Sequence, residues 1–504
     1  MTPFVEEIIP APDPAGCCAA LDGLPYRLFL DSASTGSRFG RYSFLAADPV
    51  AIVRSRGTDT ECLDVVTGAR RAIAGDPLVA LRQLVAPHAT DPVAGLPPFQ
   101  GGAAGYVAYD WGLTLERLPS PRYDDLGLPD LVIGLYDWVL AWDHESARAW
   151  LISTGIPELS TKARRARASS RSALVRQRLE TRDPGLGIRD RGLGIRDPAL
   201  GIGDSGFGNP ERAFAPSFLV EGGWWDASLH LRSSFNRAEY LAAVERVREY
   251  IFAGDIFQAN LSQRFEAATD ESAWSFYLRL RQRNAAPFAA FLDFPEVVVV
   301  SASPERFLRV DANGHVETRP IKGTRPRGFG PEHDAALGQA LAESAKDRAE
   351  NLMIVDLMRN DLSRVCAPGS VRVSELFSLE HYATVHHLVS TVVGDLSPGT
   401  DAIDLLRAAF PGGSITGAPK LRAMEIIAEL EPSRRGVYCG SIGYWSVTGE
   451  LDTNIAIRTA VLQDGCVYFS AGGGIVADSD PAQEYLETLD KARAMIDLLA
   501  LADH

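Results

Sequence analysis

Between Gly185 and Pro210 the chain carries a degenerate repeat of period seven: GLGIRDR from Gly185, GLGIRDP from Gly192, ALGIGDS from Ala199, and a closing GFGNP from Gly206. A seven-residue period suits a coiled coil, but two glycines per unit and almost no apolar stripe exclude one. A flexible surface insertion is the remaining account, and no chemistry is assigned to it. Ahead of it lies the basic stretch TKARRARASSRSALVRQRLETR from Thr161, which could form a loose helix. Segment 156–215 therefore separates two stretches that must supply the core, residues 1–155 and 232–504. The first holds strand-like runs at Tyr26–Leu30 and Leu131–Trp142 and a glycine-rich segment at Gly101–Tyr109. The second alternates long amphipathic helices with β-rich runs such as Val297–Ser301 and Thr453–Val461.

At 504 residues and 46% hydrophobic the chain suffices for one large or two medium domains. A net charge of −15 argues against a nucleic-acid binder. The six cysteines (Cys17, Cys18, Cys62, Cys366, Cys439 and Cys466) form no CxxC pair, so reduced thiols are expected. The opening MTPFVEEIIPAPDPAG has neither a basic start nor a long apolar core, and no window approaches a membrane span. A soluble, cytoplasmic protein is predicted.

Chemistry concentrates in 232–504. Lys322 lies in Thr318-Arg319-Pro320-Ile321-Lys322-Gly323-Thr324, where Pro320 and Gly323 predict a loop or strand end. Arg319, Arg325 and Arg327 crowd it in sequence; neighbouring positive charge disfavours an ammonium, and a free amine is a nucleophile. A surface lysine in a basic turn is the plain alternative. The helix-like run Asp334–Arg364 carries Asp347 and Glu350 at i,i+3, and a second helix carries Glu484 and Glu487 at the same spacing, with Asp480 as N-cap and Pro481 at N1. One such pair is ordinarily a solvated face. Two pairs beside glycine-rich sequence suit a divided oxygen-ligand site, for which Mg²⁺ is the fitting ion. Alternation across Thr453–Val461 puts Arg458 on a strand face with Ala456 and Ala460, fit to clamp a carboxylate or to form a buried ion pair. Gly472-Gly473-Gly474 follows the next strand and allows close backbone approach. Pro411-Gly412-Gly413-Ser414-Ile415-Thr416-Gly417-Ala418-Pro419-Lys420 leads from a glycine-rich loop into a helix near Pro419, an arrangement suited to an anion. It lacks P-loop spacing. Together these residues point to a small polyanionic substrate, a divalent metal and an amine nucleophile.

Gly254-Asp255-Ile256-Phe257-Gln258-Ala259-Asn260, Ser303-Pro304-Glu305-Arg306-Phe307, PIKGT, Asp347-Arg348-Ala349-Glu350-Asn351 and Asp356-Leu357-Met358-Arg359-Asn360-Asp361 run in one order. With His387-Leu388-Val389-Ser390, GGSITGAPK, Ile457-Arg458-Thr459-Ala460 and AGGGIV, they resemble the chorismate-utilising enzymes over about 235–500. The first part resembles the N-terminal portion of the two amino-transferring branches through Gly40-Arg41-Tyr42-Ser43-Phe44 and the segment Gly101–Asp110. The repeat lies outside the resemblance.

Two positions choose among branches. Isochorismate and salicylate synthases carry a lysine where this chain has Gln258, and glutamine is no base at neutral pH. Anthranilate synthases resemble the chain at Gln258 but usually have alanine in place of Lys322. The PIKGT form resembles aminodeoxychorismate synthase component I, the branch toward p-aminobenzoate and folate; Gly134-Leu135-Tyr136-Asp137-Trp138 and Asp143-His144 resemble it too. Anthranilate synthase component I is the alternative.

The resemblance implies an α+β fold of two large antiparallel sheets packed as a sandwich with helices outside, shared by the N-terminal part. It implies Mg²⁺ held by Glu350 and Glu487, with Asp347 and Glu484 acting largely through waters; Asp347 is shorter than the glutamate of many relatives. Lys322 would be the nucleophile and Glu305 the general acid. Arg458, Tyr438 and Gly474 would grip the enolpyruvyl carboxylate, with Gln258, Thr324, His387 and Ser414 around the substrate. No glutaminase nucleophile elbow is apparent, so a glutamine amidotransferase subunit supplying ammonia is implied. The family's tryptophan pocket uses Leu-Leu-Glu-Ser where this chain has Phe29-Leu30-Asp31-Ser32.

Overall fold

The computed structural model describes residues 2–34, 38–181, 216–220, 224–225, 227–382 and 385–500. The repeat falls outside the described residues. Two antiparallel sheets, of thirteen and twelve strands among the described residues, make up the centre. Side chains from both inner faces meet in one apolar layer: Tyr26, Leu28 and Phe44 of the first sheet pack with Ile52, Tyr106 and Tyr444 of the second. Stacking of Phe99 on Tyr444, with centroids 4.7 Å apart, is part of that layer.

Helices cover both outer faces. Arg237–Phe252, Ala273–Arg283 and Pro481–Ala500 lie on the first sheet, burying Tyr240, Phe276, Tyr485 and Met495. Pro77–Val85, Ala345–Ser363 and Ala402–Ala409 lie on the second. The order helix, sheet, sheet, helix is the α+β sandwich that the resemblance implied.

Both sheets draw on both ends of the chain. Arg27–Asp31 pairs with Phe288–Asp293, and Gly102–Val107 pairs with Ser441–Ser446. The glycines of the second pairing are set by contact: a Cβ at Gly105 would lie 2.1 Å from the Val132 carbonyl oxygen.

Three expected elements are divided. The run Leu131–Trp142 is two strands, Leu131–Tyr136 and Trp138–Asp143, broken where the chain passes from the second sheet to the first. The break is Asp137, fully buried, whose carboxylate takes Arg167 at 3.0 Å and Arg171 at 3.1 Å from the basic helix Thr161–Thr181. The run Asp334–Arg364 is two helices, Pro331–Glu343 and Ala345–Ser363, interrupted at an extended Ser344 whose hydroxyl caps the Asp347 amide. The run Thr453–Val461 holds the end of Leu451–Asn454 in the second sheet and the start of Thr459–Gln463 in the first. Residues 455–458 cross between the sheets, and Arg458 has φ of 51°.

Candidate active site

Lys322 sits in the strand Ile321–Pro326, which pairs with Val385–Asp395 except for a register shift between Ile321 and Thr324. The shift is a bulge, and a bulge re-aims the side chains it contains. Gly323, at φ 93°, makes it possible; a Cβ there would press within 3.0 Å of Asp347 Oδ1. Lys322 is thus the second residue of its strand, close to the N-terminal end. No hydrogen bond or ion pair holds its half-buried amine among the described residues. Burial depresses the ammonium, against the opposing pull of Glu350, Glu305 and Glu487, while Lys491 adds to the depression.

The arginines adjacent in sequence are not its charge neighbours. Arg319 donates to Glu375 at 2.8 Å and also pairs with Glu380, Arg325 meets Asp347 at 2.8 Å, and Arg327 meets Asp334 at 2.6 Å. The expectation that they depress Lys322 is corrected: each has its own carboxylate, and desolvation does the work.

Glu305 follows the strand Val298–Ser303 and is buried. Burial raises its carboxyl to about 7, although the Ser414 hydroxyl, Lys322 and the Ile321 N–H favour the charged form. Ser414 Oγ donates to Glu305 Oε1 at 2.6 Å. A raised carboxyl near a depressed amine is an arrangement suited to acid and nucleophile chemistry.

His387 is buried, its Nδ1 2.8 Å from Thr324 Oγ1, its Nε2 unpartnered. Burial and the neighbouring Arg458 lower it to about 3, so the ring is neutral. Arg458 has no carboxylate within ion-pair distance among the described residues; its Nη1 reaches Asn284 at 3.4 Å. The strand-face expectation for Arg458 is corrected, since it projects from the left-handed turn of the crossover. The buried-ion-pair alternative finds no acidic partner there. Gln258, fully buried, has neither Oε1 nor Nε2 partnered, and its amide lies where a Cβ on Gly474 would come within 2.3 Å. Tyr438 is buried, which pushes its hydroxyl well up. Unpartnered donors and acceptors of this kind are costly unless a ligand or water satisfies them.

The carboxylates come from Ala345–Ser363 and Pro481–Ala500. Glu350 is raised by burial and by the charges of Asp347 and Glu487, with Lys322 and Lys346 opposing. Glu484 is buried, raised by desolvation, and accepts from Ser479 Oγ at 2.6 Å. Burial also raises Glu487, but Lys491, bonded to it at 2.6 Å, and Lys346 outweigh that and leave it lowered. Gly472–Gly474 lie within the strand Cys466–Ile475, not after it, and a Cβ on Gly473 would come within 3.0 Å of Glu484 Oε2 and 3.3 Å of Glu487 Oε1. Lys491 and Lys346 had not been picked out from the sequence. Lys491 was findable, standing four residues after Glu487 on one helix face.

Among the described residues no three carboxylate, histidine or cysteine side chains group closely enough to hold a metal alone. The donor set still suits an ion that takes one or two carboxylates and completes its shell with water and substrate oxygens. Asp347 fits least well, because its Oδ2 is engaged by Arg325.

The Lys322 amine, the raised Glu305 carboxyl, the Arg458 guanidinium, the unpartnered Gln258 amide and His387 imidazole atoms and the carboxylates of Glu350, Glu484 and Glu487 thus belong to one region of the fold. The family profile described as chorismate binding enzyme matches residues 218–497. The chain belongs to the chorismate-binding enzymes. Aminodeoxychorismate synthase component 1 of Salmonella typhimurium is 44% identical over 480 residues, 95% of this chain and 94% of that protein. Anthranilate synthase component 1 of Cereibacter sphaeroides is 40% identical, covering 92% and 87%. The crystal structure of anthranilate synthase component I from Streptococcus pneumoniae superposes with a TM-score of 0.70 at 32% identity, covering 90% of this chain and 92% of that one.

In this chorismate-binding enzyme a cavity of about 350 Å³ lies elsewhere, lined by Leu30, Asp31, Ser32, Phe39, Arg306 and Tyr444 among others. It is where the Phe29–Ser32 segment falls. Asp31 is engaged there within the protein, accepting from Tyr277 at 2.9 Å and Arg281 at 2.5 Å.

Proposed function

We propose that the protein is an aminodeoxychorismate synthase component I, forming 4-amino-4-deoxychorismate from chorismate and ammonia. The observation that carries this reading is the Lys322 amine: half-buried in a bulged strand, depressed by desolvation, and within the electrostatic reach of Glu305, Glu350 and Glu487. The high identity to the Salmonella relative over nearly its full length supports it.

In the proposed chemistry the neutral Lys322 Nζ forms a bond to ring C2 as both ring double bonds shift by one position toward C4 and the C4–O bond breaks; they shift back when ammonia adds. Glu305 gives its proton to the departing oxygen, which leaves as water. Ammonia then bonds at C4, the C2–N bond breaks, and Lys322 is restored. Arg458 binds a substrate carboxylate, while Gln258, Thr324, His387, Tyr438 and the Gly474 backbone hold the polar groups of the ring and side chain. Glu350 and Glu487, with Asp347 and Glu484 through water, would hold Mg²⁺, which when bound supplies Lewis-acid polarisation of the substrate carboxylate. A glutamine amidotransferase subunit would supply ammonia, as the component 1 designation of the relatives suggests. With six unpaired cysteines and no described helix long and apolar enough to cross a membrane, we place it in the cytoplasm.

Anthranilate synthase is the second reading, favoured by the Cereibacter relative. Purified protein with chorismate, Mg²⁺ and excess ammonium decides between them. Product that yields p-aminobenzoate only after adding aminodeoxychorismate lyase, together with at least 100-fold loss in Lys322→Ala, supports the first reading. Anthranilate and pyruvate without the lyase would sink it.

A further inference from the structure

Behind Glu305 and Lys322 lies an ion pair that hydrogen-bonds none of the proposed substrate-binding side chains among the described residues, although both of its charges act on Tyr438. Glu431 and Arg435 are 4% and 7% exposed. Arg435 donates from Nε to Glu431 Oε2 at 2.8 Å and from Nη2 to Oε1 at 2.7 Å, the two-pronged geometry in which a guanidinium is held rigidly. Its remaining reach goes to backbone: Nη1 donates to the Ile415 carbonyl at 2.9 Å, and Nη2 to the Asn260 carbonyl at 2.6 Å. Glu431 Oε1 also accepts from the Ser262 amide and hydroxyl, both at 2.8 Å. The Tyr109 ring from the N-terminal part covers the guanidinium at 4.5 Å.

Ile415 directly follows Ser414, the residue that donates to Glu305. Asn260 lies two residues after Gln258, in the strand Gln258–Ala268. The turn and the strand already meet through the Asn260 amide and the Thr416 carbonyl at 2.7 Å. The Phe257 amide and the Ala418 carbonyl, also at 2.7 Å, make a second tie. Both ties lie after Ile415 in the chain; the fork adds a bond to the Ile415 carbonyl itself, next to Ser414, and joins it to the Asn260 carbonyl.

We propose that Arg435, clamped by Glu431, is a positioning residue that fixes the Ser414 hydroxyl on Glu305 and thereby sets when Glu305 carries its proton. The groups facing Glu305 are the Ser414 hydroxyl from the 413–415 turn, Lys322 and the Ile321 amide from their strand, and the Cys439 thiol from the loop before Ser441–Ser446. Of these, only Ser414 belongs to a segment the fork holds directly. The inference rests on the proposed role of Glu305 as acid, and not on which product is formed.

The test uses the full chain with Arg435→Lys, Ser414→Ala and the double variant, following chorismate loss rather than product. The Glu305 titration is read in parallel from its infrared carboxyl absorption, by difference against Glu305→Gln. Lysine keeps the charge beside Glu431 but cannot reach both carbonyls. The expected result is a fall in kcat of about tenfold in each single variant with KM changed less than threefold. The Glu305 titration should move upward in both, and Ser414→Ala should add less than twofold on top of Arg435→Lys. Multiplying losses, or an unmoved titration in Arg435→Lys, overturns the proposal. Should Arg435→Lys fail to fold, Glu431→Gln with Arg435→Met removes the pair without leaving a buried charge, and the same outcomes apply. Release of anthranilate would overturn the aminodeoxychorismate reading alone. An infrared displacement shared by Ser414→Ala and Arg435→Lys decides the positioning role even without turnover.

Discussion

Glu305 turns the site into a pH-dependent device whose direction follows from burial. A group raised to about 7 keeps its proton below that pH and loses it above. Activity that needs the acid therefore falls as pH rises through 7, provided free ammonia rather than total ammonium is held constant. Ser414 favours the charged form, so Ser414→Ala should carry the descending limb upward by about one pH unit, the worth of a hydrogen bond to a charged group. A pH profile of kcat/KM for chorismate checks this, and a limb that stays put or moves down refutes the assignment. Lys322 was legible as an amine between proline and glycine, Glu305 only through the family resemblance. What lay beyond the sequence was the source of their tuning. Arg319, Arg325 and Arg327 are adjacent to Lys322 in the chain, yet Glu375, Glu380, Asp347 and Asp334 engage them, all four acids arriving from other elements. Lys491, distant in sequence, is the cation that reaches the amine's surroundings.

At the scale of elements, periodicity showed which runs were strand or helix but not where a run changes layer. Thr453–Val461 and Leu131–Trp142 each read as one continuous apolar alternation, since both sheets bury their inner faces and the pattern does not register the crossing. Asp137 marks one crossing, and it explains the basic helix that composition alone left without a role. Its carboxylate, fully buried, is the anchor for Arg167 and Arg171, and Arg171 also takes Asp48 at 2.6 Å. Removing one partner of a buried pair strands the other, at a cost of about 3 kcal/mol. Asp137→Ala should therefore lower the free energy of unfolding in urea by that amount, moving the midpoint down, and loosen Thr161–Thr181 against the sheet. Since the helix is remote from Lys322, kcat of the folded enzyme should hold within twofold. An unchanged midpoint would show that the arginines are satisfied by solvent instead.

At the scale of the whole molecule, the N-terminal third is structural material for the site it does not line. It supplies Tyr109 over Arg435, and Asp110, which accepts from the Gly436 amide at 2.7 Å, so the segment 434–436 is held from that side. It also closes two strand edges of the catalytic part, at Phe288–Asp293 and at Ser441–Ser446. A fragment 216–504 would expose both edges together with the faces that Phe44 and Phe99 cover on Tyr444. Exposed long apolar edges associate with other chains. The fragment alone is thus expected in the insoluble fraction, although the family profile lies wholly within it. Co-expressed with 1–181, it should become soluble and consume chorismate within a fewfold of the intact chain, because that cut severs no described strand or helix. Differential solubility and chorismate loss of the two preparations measure this. A soluble 216–504 fragment with native near-ultraviolet dichroism would mean that the catalytic part folds as an independent domain, and that the shared sheets are a docking of two finished units rather than one core.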